Sequence, residues 1–372
     1  MKEKIKNDAL WFVGGFFIIS ILAIAGASMY TSKELGNLVL KQTFWYILGA
    51  IMIFVIYKFG NKFLYKTAWW LYGGGIISLI LLLIFGTPIN NSKCWFVIPG
   101  IGSVQPSEFM KLFIMLSLGN LIYQFRKEKN SPTLYDEFIF ILKTFFIVLP
   151  PSILTFLQPD TGAVIIYLVI YAVMMFMSGV RIRWFLTALS ILFFIIGIVG
   201  SLYLFNEELF VEIFGTSFYY RLERIFMWKD GVGLQLENAI SAIGSSGLFG
   251  HGFKKTPIYF PEASTDFIFA VFASNFGFIG VCILLSLFCL FDNYIISLMK
   301  KKNYNQSKYV LAGIVGMLMF QQMQNIGMTL GLLPITGITL PFISYGGSSL
   351  ISYMIIIGII VNIATEREKS YK

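Results

Sequence analysis

Histidine, cysteine and charged residues are scarce in this sequence. It has one histidine and three cysteines, and Asp, Glu, Lys and Arg together make up 13% of its 372 residues. Soluble domains carry about 25% charged residues, which excludes a soluble enzyme, a disordered tail or a nucleic-acid-binding protein for the chain as a whole. A single histidine, His251, excludes HExxH zinc chemistry and any multi-histidine metal centre. Cys282 and Cys289 lie within one apolar run and Cys94 stands apart, so no disulfide framework is predicted.

Apolar residues dominate the composition. They make up 57% of the chain, including 38 Phe, and the mean hydropathy is +0.77. The net charge of +9 is typical of a membrane protein whose loops face an anionic cytoplasmic leaflet. The sequence therefore predicts an integral membrane protein.

Ten apolar runs are long enough to cross a bilayer, for which a helix needs roughly 20 residues. They cover residues 9–29, 42–58, 68–86, 108–125, 138–157, 162–180, 184–205, 266–291, 309–331 and 345–364. The first run follows three lysines and ends in small residues, which resembles a cleavable signal peptide, but its apolar stretch is longer than a signal core. We therefore expect an uncleaved first span and an all-α polytopic membrane protein with ten transmembrane helices.

Lysine and arginine are distributed unevenly between the two sides of this arrangement. With the N-terminus in the cytoplasm, 18 of the 28 fall in cytoplasmic segments, 8 in outer segments and 2 within spans. Because positive residues are retained on the cytoplasmic side, both termini are predicted to be cytoplasmic. One outer loop, about 206–265 between spans seven and eight, is far longer than the others, and its apolar stretches predict interfacial helices. The chain, 1–372, is predicted to form a single integral membrane domain.

Four polar segments rich in Pro or Gly mark the places where chemistry is expected. They are Gln105-Pro106-Ser107-Glu108 with Lys111, Gln158-Pro159-Asp160-Thr161-Gly162, Pro261-Glu262-Ala263-Ser264-Thr265-Asp266, and Pro341-Phe342-Ile343-Ser344-Tyr345-Gly346-Gly347-Ser348-Ser349. They open spans four, six, eight and ten, and every even-numbered span begins at the outer surface in this topology. Helix N-termini attract anions because their first amide N–H groups are unpaired. The four segments therefore predict a shared outer cavity for phosphate or pyrophosphate.

Ionisable side chains in and near these segments are the candidate functional groups. Lys111, Lys254 and Lys255 would add positive charge to the cavity. Glu108, Asp160 and Asp266 would be ionised there and available as bases or cation ligands. Each segment alone has a simpler interpretation, because Asp, Ser and Thr are ordinary N-caps, Pro is an ordinary first-turn residue, and an i, i+3 pair can be a local ion pair. Four such segments at one face favour a functional cavity.

At these residues the sequence resembles the SEDS family (shape, elongation, division and sporulation), whose members include RodA, FtsW and SpoVE. The similar stretches are Cys94 to Lys111, Leu157 to Gly162, Ile243 to Gly250, Pro261 to Phe269, Asn325 to Met328 with Leu333 to Gly337, and Ser344 to Ser349. They occur in the family's order and span nearly the whole chain, and Ile98-Pro99-Gly100 is most similar to the RodA branch. Two places depart from the pattern: Cys94 stands where the family carries a basic residue, and the stretch from Leu234 to Asn238 differs.

The resemblance implies a fold, a reaction and a set of site residues. Members of the family polymerise lipid II, a disaccharide-pentapeptide on undecaprenyl pyrophosphate, into glycan strands at the outer face of the cytoplasmic membrane. It implies an inverting glycosyl transfer in which Asp266, at the position of the family's essential aspartate, is the general base. The expected substrate-binding residues are Gln105, Ser107, Glu108, Lys111, Asp160, Lys254, Glu262, Thr265, Ser344, Tyr345 and Gly346. A Mg²⁺ or Mn²⁺ ion is compatible with the carboxylates, and the expected partner is a single-pass class B penicillin-binding protein, a transpeptidase.

Two other functions fit part of the sequence. A lipid II flippase would also use broken helices aimed at an anion, but no inverted repeat is evident and the polar groups gather at one face. A non-catalytic scaffold that activates a penicillin-binding protein would leave the carboxylates replaceable. The sequence leaves open whether the protein serves elongation, division or sporulation.

Overall fold

The computed structural model describes residues 2–28, 37–87, 93–98, 102–129, 131–216, 218–219, 234–302 and 305–365. Parts of four sequence predictions lie outside these residues: residue 29 of the first span, 99–101 in the first family motif, 217 and 220–233 in the long loop, and the C-terminal residues 366–372.

Helices account for most of the described chain. They are α1 (Lys2–Ala27), α2 (Leu38–Phe59), α3 (Asn61–Phe85), α4 (Pro106–Glu128), α5 (Leu134–Leu157), α6 (Thr161–Met177), α7 (Ile182–Phe205), α8 (Glu207–Phe214), α9 (Leu234–Gly244), α10 (Ile268–Lys300), α11 (Gln306–Thr329) and α12 (Gly347–Thr365). A short antiparallel hairpin, β1 (Phe96–Ile98) and β2 (Gly102–Val104), precedes α4, with Phe96 opposite Val104. Each predicted span overlaps one long helix, and α8 and α9 lie in the predicted long loop.

Seven helices in the described residues are long and apolar enough to cross a membrane: α1 from Asp8 onward, α2, α3, α5, α7, α10 and α12. Helix α6 is apolar but only 17 residues long. Helices α4 and α11 carry buried amides such as Asn120, Gln321 and Gln324, so they are less apolar. A helix enclosed by protein can carry polar side chains that lipid would not tolerate. The chain is thus a multi-pass helical membrane protein, while the count of ten spans and the sides of the termini stay predictions.

The helices of the bundle differ in how far they are buried. Most residues of α4, α11 and α12 are buried, whereas α7 has no buried residue. At its first turn α7 is tied to α5, because Trp184 Nε1 donates to the buried Glu137 carboxylate at 2.8 Å and Arg181 pairs with it at 3.6 Å. The rest of α7 presents apolar side chains outward, as expected for a helix surrounded by lipid.

Helix α10 is kinked at Gly277, which has φ 62° and ψ −162°. The kink frees backbone groups that a straight helix would pair internally. The loop after α9 supplies their partners: Phe278 N–H donates to Gly247 O at 3.0 Å, and His251 N–H donates to Ser274 O at 2.9 Å. The loop, which precedes Asp266 in the chain, and the first half of α10, which follows it, therefore form one unit.

Side chains of α2 fix the position of the loop between α11 and α12. The buried Gln42 donates to Ser344 O at 3.3 Å, and the Tyr46 hydroxyl donates to Phe342 O at 2.7 Å. These two bonds hold the start of α12 in a defined position.

Candidate active site

The four polar segments meet at one end of the bundle, where α4, α6, α10 and α12 begin. Pro106 is the first residue of α4, a position that proline favours because it has no N–H to leave unpaired. Asp160 is the N-cap of α6, and its side chain accepts from Ala163 N–H at 3.0 Å. We call this end, with its carboxylates Glu108, Asp160 and Asp266, the carboxylate end.

Asp160 joins the starts of α4 and α6. Besides the capping bond, its Oδ2 accepts from Gln105 Nε2 at 2.8 Å and from Ser107 Oγ at 3.0 Å. Burial raises the pKa of Asp160, and the bonds from Ala163, Ser107 and Gln105 oppose that rise. Because all three donors are aimed at its carboxylate, Asp160 holds Gln105 and Ser107 in place.

Glu108 and Lys111 form a shielded ion pair on the first turns of α4. Lys111 Nζ lies 2.7 Å from Glu108 Oε2, and the side chains are 12% exposed for Glu108 and 2% exposed for Lys111. Ser352 Oγ of α12 lies 3.4 Å from Glu108 Oε2, and Lys111 Nζ lies 5.4 Å from the centroid of the Tyr353 ring. The i, i+3 pair is therefore also a contact between α4 and α12.

The start of α12 is bonded to the hairpin and to α4. Ser348 Oγ accepts from Gln105 N–H at 3.0 Å and donates to Ser103 O at 3.2 Å. Gly346 O accepts from Leu350 N–H at 3.1 Å in the first turn of the helix. Gln105 thus contacts α6 through its side chain and α12 through its backbone.

Asp266 lies in the turn just before α10. Its carboxylate makes no hydrogen bond or ion pair with any residue that the structure describes, while its backbone carbonyl accepts from Asn325 Nδ2 at 2.8 Å. Burial, and then the negative charge of Glu262, raise the pKa of Asp266 to about 7. Glu262 itself accepts from Thr265 Oγ1 at 2.8 Å. Asp266 is half-buried, so the geometry gives it a carboxyl group that is accessible and unengaged.

The loop before α12 connects Asp266 to the other carboxylates. Ser344 Oγ donates to Thr265 O at 2.7 Å, and Tyr345 N–H donates to Ser264 O at 2.9 Å. Farther back in the same loop, a Cβ added at Gly337 would lie 3.6 Å from Asp266 Oδ2. Ser344 is therefore a backbone support, since its hydroxyl also accepts from Leu340 N–H at 2.8 Å.

Residues 334–340 of that loop also contact the start of α6. A Cβ added at Gly162 would lie 3.0 Å from Thr336 O. A side chain at Gly162 would require Thr336 to shift by a few tenths of an ångström. The start of α6, which Asp160 caps, and Asp266 therefore both lie beside residues 336–337.

Lys254 is a predicted site residue in the loop between α9 and α10. It is exposed, and its Nζ lies 5.5 Å from the centroid of the Phe253 ring. Within the described ranges, no ion pair joins it to Glu108, Asp160 or Asp266. Its role at the site stays a prediction.

Several residues that contribute to this end were not singled out from the sequence. Ser352 and Tyr353 lie one turn beyond Ser348 and Ser349 on α12, and that spacing could have indicated them. His251 has its Nδ1 3.1 Å from Ser274 O and belongs to the support of the α10 kink.

A metal ion and a substrate cavity at the carboxylate end are both compatible with the sequence. In the part of the chain that the structure describes, no three His, Cys, Asp or Glu side chains lie close enough to hold an ion. Two cavities of about 360 and 580 Å³ lie at the opposite end of α4. The shared hollow between Glu108, Asp160 and Asp266 stays a prediction.

Known proteins resemble the chain in sequence and in fold. Residues 7–369 match the FtsW/RodA/SpoVE family model, described as a cell cycle protein. FtsW of Coxiella burnetii, named a probable peptidoglycan glycosyltransferase, is 34% identical over 94% of this chain and 93% of its own length. Stage V sporulation protein E of Bacillus subtilis is 36% identical over 77% of this chain and 75% of its own.

Two solved structures share the architecture. A chain of a peptidoglycan synthase complex, solved to describe how polymerization and crosslinking are coordinated, aligns with a TM-score of 0.78 and 26% identity over 97% of this chain and 98% of its own. The rod shape determining protein RodA of Thermus thermophilus aligns with a TM-score of 0.70 and 26% identity over 97% of each chain. Given a family match over nearly its full length, the chain belongs to the FtsW/RodA/SpoVE family, the SEDS proteins.

Proposed function

We propose that this protein is a peptidoglycan glycosyltransferase that polymerises lipid II into glycan strands. The observation that carries the proposal is the Asp266 carboxylate, half-buried and unengaged, at the end of the bundle that also holds Asp160 and the Glu108–Lys111 pair. The names of the relatives support the same activity, since FtsW of Coxiella burnetii is a probable peptidoglycan glycosyltransferase.

The reaction requires a base at one atom and positive groups at another. An acceptor sugar hydroxyl attacks the anomeric carbon of the donor, a C–O bond forms, and the bond to the pyrophosphate oxygen breaks with inversion. Asp266 accepts the hydroxyl proton, a task suited to a carboxylate whose pKa of about 7 lies near the operating pH. The undecaprenyl pyrophosphate leaves with the electron pair of the broken bond.

The departing pyrophosphate requires positive charge and N–H donors. The N-terminal ends of α4, α6, α10 and α12 carry partial positive charge, and Lys111 offers an ammonium group. Because Lys111 is already paired with Glu108, we expect the binding of the pyrophosphate to change the positions of both side chains. Lys254 is the candidate for an additional contact from the loop.

A divalent cation fits this chemistry in one way only. The described residues offer no three-ligand cluster, whereas Mg²⁺ is commonly held by one or two carboxylates with substrate phosphates and water. When bound, Mg²⁺ or Mn²⁺ would neutralise pyrophosphate charge, with Glu262 as a protein ligand beside the base Asp266. Among the other substrate-binding candidates, Thr265 precedes Asp266 in the chain, and Tyr345, which Gly346 follows, is hydrogen-bonded to Ser264.

The membrane arrangement that suits this function has ten spans, with both termini in the cytoplasm. The carboxylate end then faces outward across the bacterial cytoplasmic membrane, where lipid II is presented, and the chain forms one membrane domain with its long loop at about 206–265. The other three spans would be the short apolar helix α6 and helices α4 and α11, whose polar side chains are buried in protein.

A transpeptidase partner is part of the proposal. The structural relative in a peptidoglycan synthase complex supports a single-pass class B penicillin-binding protein, which would cross-link the strands as they form. The protein would act in cell elongation, cell division or sporulation. Imaging of cells depleted of the protein separates the first two, because round cells indicate a role in elongation and filaments a role in division.

The decisive experiment uses the purified full-length protein, with and without a class B penicillin-binding protein from the same cell, and labelled lipid II. We expect the wild-type protein to form glycan chains without another polymerase, and Asp266→Asn to be slower by about 10²–10⁴-fold, the usual contribution of a general base. The matched control is Asp292→Asn, which alters a buried carboxylate of α10 beside Gln322 and should polymerise normally.

The same assay separates the alternatives. Polymerisation by Asp266→Asn at the wild-type rate would remove Asp266 as the base. Movement of lipid II across vesicles without chain formation would favour a flippase. A scaffold would be favoured if the wild type synthesises no glycan and Asp266→Asn still activates cross-linking by the partner.

A further inference from the structure

A cavity of about 360 Å³ lies at the end of the bundle opposite the carboxylate end. Its walls come from the first turns of α3, the last turns of α4 and the start of α11, and they include Lys62, Lys66, Trp69, Asn120, Gln124 and Gln306. Along α4, Gln124 is about 24 Å from Glu108 at 1.5 Å per residue. The cavity, which we call the lysine cavity, is therefore separate from the proposed catalytic site.

The lysine cavity is positively charged. Lys62 and Lys66 are one turn apart on α3, both are exposed, and neither forms an ion pair with a described residue. No acidic side chain lines the cavity, and the partial positive charge at the N-terminal ends of α3 and α11 offsets the partial negative charge at the C-terminal end of α4. The cavity therefore favours an anion.

Asn120 adds a requirement for a hydrogen-bond donor. Its side chain is buried, with 6% exposed, and its Nδ2 donates to Tyr65 O at 2.7 Å, which fixes the orientation of the amide. Its Oδ1 has no hydrogen-bond partner in the described structure. A buried acceptor without a donor is costly, so a ligand that carries a hydroxyl or N–H group would be stabilised here.

The surroundings indicate a membrane ligand. Trp69 borders the cavity and is 45% exposed, and the adjacent Trp70 is 85% exposed. Tryptophans at a helix end that also carries lysines are typical of the headgroup region of a bilayer. A lipid can enter such a cavity laterally and keep its acyl chains in the hydrocarbon.

We propose that the lysine cavity binds the headgroup of an anionic glycerophospholipid with free hydroxyls, of the phosphatidylglycerol type. The phosphodiester would lie between Lys62 and Lys66, and a glycerol hydroxyl would donate to Asn120 Oδ1. A zwitterionic headgroup fits less well, because its ammonium group would approach the two lysines.

The first test measures binding by native mass spectrometry of the full-length protein released from nanodiscs that contain phosphatidylglycerol and phosphatidylethanolamine. We expect one retained phosphatidylglycerol per chain, and Lys62→Gln with Lys66→Gln to weaken its binding roughly 30-fold, at about 1 kcal/mol for each lysine. The control pair, Lys58→Gln with Lys300→Gln, removes the same charge from exposed positions at the same end but outside the cavity and should change binding less than twofold (about 0.4 kcal/mol). Equal retention of the two lipids, or equal loss in both pairs, would overturn the proposal.

The second test isolates the hydroxyl contact. Phosphatidylmethanol has the same phosphodiester charge and no hydroxyl, so we expect the wild type to bind it more weakly than phosphatidylglycerol. Asn120→Ala should abolish that preference while leaving phosphatidylmethanol binding unchanged. Equal wild-type affinity for the two lipids would exclude the Asn120 contact without the use of any variant.

A soluble ligand has the same phosphate and hydroxyl chemistry, so a third arm adds sn-glycerol 3-phosphate to the nanodisc sample. If the site takes a lipid, millimolar glycerol phosphate leaves phosphatidylglycerol in place. Displacement by glycerol phosphate would assign the cavity to a soluble phosphate ester instead. None of these readouts depends on glycan synthesis, so they stand apart from the activity assay.

Discussion

Gly250 and Gly277 lie backbone against backbone: a Cβ added at Gly277 would lie 2.3 Å from Gly250 N. Both residues have positive φ, 79° and 62°, which glycine adopts without steric cost. The contact lets the loop after α9 pair with the freed backbone of α10. The glycine pair thus fixes this loop against α10, the helix that begins two residues after Asp266, the proposed base.

Gly277→Ala is therefore expected to be strongly destabilising. The added methyl group would contact the Gly250 backbone, which is not a flexible side chain, and positive φ costs a non-glycine residue about 1–3 kcal/mol. Thermal unfolding in detergent, followed by loss of the monodisperse peak in size-exclusion chromatography, measures the effect. Gly197→Ala is the control, because a Cβ there meets no atom within 4 Å. Equal midpoints for the two variants would contradict the packing described here.

Asp160→Asn tests whether this carboxylate positions the starts of α4 and α6. The new amide would place N–H groups against at least one of the donors from Gln105, Ser107 and Ala163. A lost buried hydrogen bond costs about 1–3 kcal/mol, so both the thermal midpoint and the rate of polymerisation should fall. Asp136→Asn is a suitable comparison, since its carboxylate also accepts from a backbone N–H, that of Thr133 at 2.9 Å, but in an exposed cap of α5. An Asp160→Asn protein as stable and active as wild type would exclude the positioning role.

How far the sequence predicts this site is clear from these residues. The sequence predicted that the four polar segments converge, because the spans that they open, four, six, eight and ten, all begin on the same side of the membrane. It did not predict the bonds from Gln105 and Ser107 to Asp160, since they join residues 55 and 53 positions apart. Such pairings depend on how α4 and α6 pack, which periodicity does not encode.

The same limit applies to the long helix α10. The predicted span 266–291 ends at the polar pair Asp292-Asn293, whereas the helix continues to Lys300. Asp292 is buried and accepts from Gln322 of α11 at 3.4 Å, so a neighbouring helix, and not lipid, surrounds it. The kink at Gly277 was also missed, because its partners come from a loop distant in the chain from that residue.

The pH dependence of polymerisation should report Asp266. A general base acts as the carboxylate, and the pKa of Asp266 is raised from 3.8 to about 7, so activity should fall as the pH drops below about 7 and level off above it. Part of that rise comes from the charge of Glu262. Glu262→Gln should therefore lower the pKa of Asp266 and move the acidic limb of the rate profile to lower pH.

Rate–pH profiles of the wild type, Glu262→Gln and Glu237→Gln check this expectation. Glu237 is exposed on α9, so its neutralisation should leave the profile unchanged. An unchanged acidic limb in Glu262→Gln, or a shift toward higher pH, would show that Glu262 does not act on the titrating group.

The Glu108–Lys111 pair distinguishes a structural from a catalytic requirement. Lys111→Met leaves the mostly buried Glu108 without its cation, and breaking a buried pair from one side costs about 3–5 kcal/mol. Combining Lys111→Met with Glu108→Gln removes both charges, and replacement of a whole pair is often nearly neutral. The thermal midpoint should therefore drop in the single variant and recover in the double variant. If Lys111 also stabilises the leaving pyrophosphate, polymerisation stays lost in the double variant despite its recovered stability. Recovery of stability and activity together would restrict the pair to holding α4 against α12.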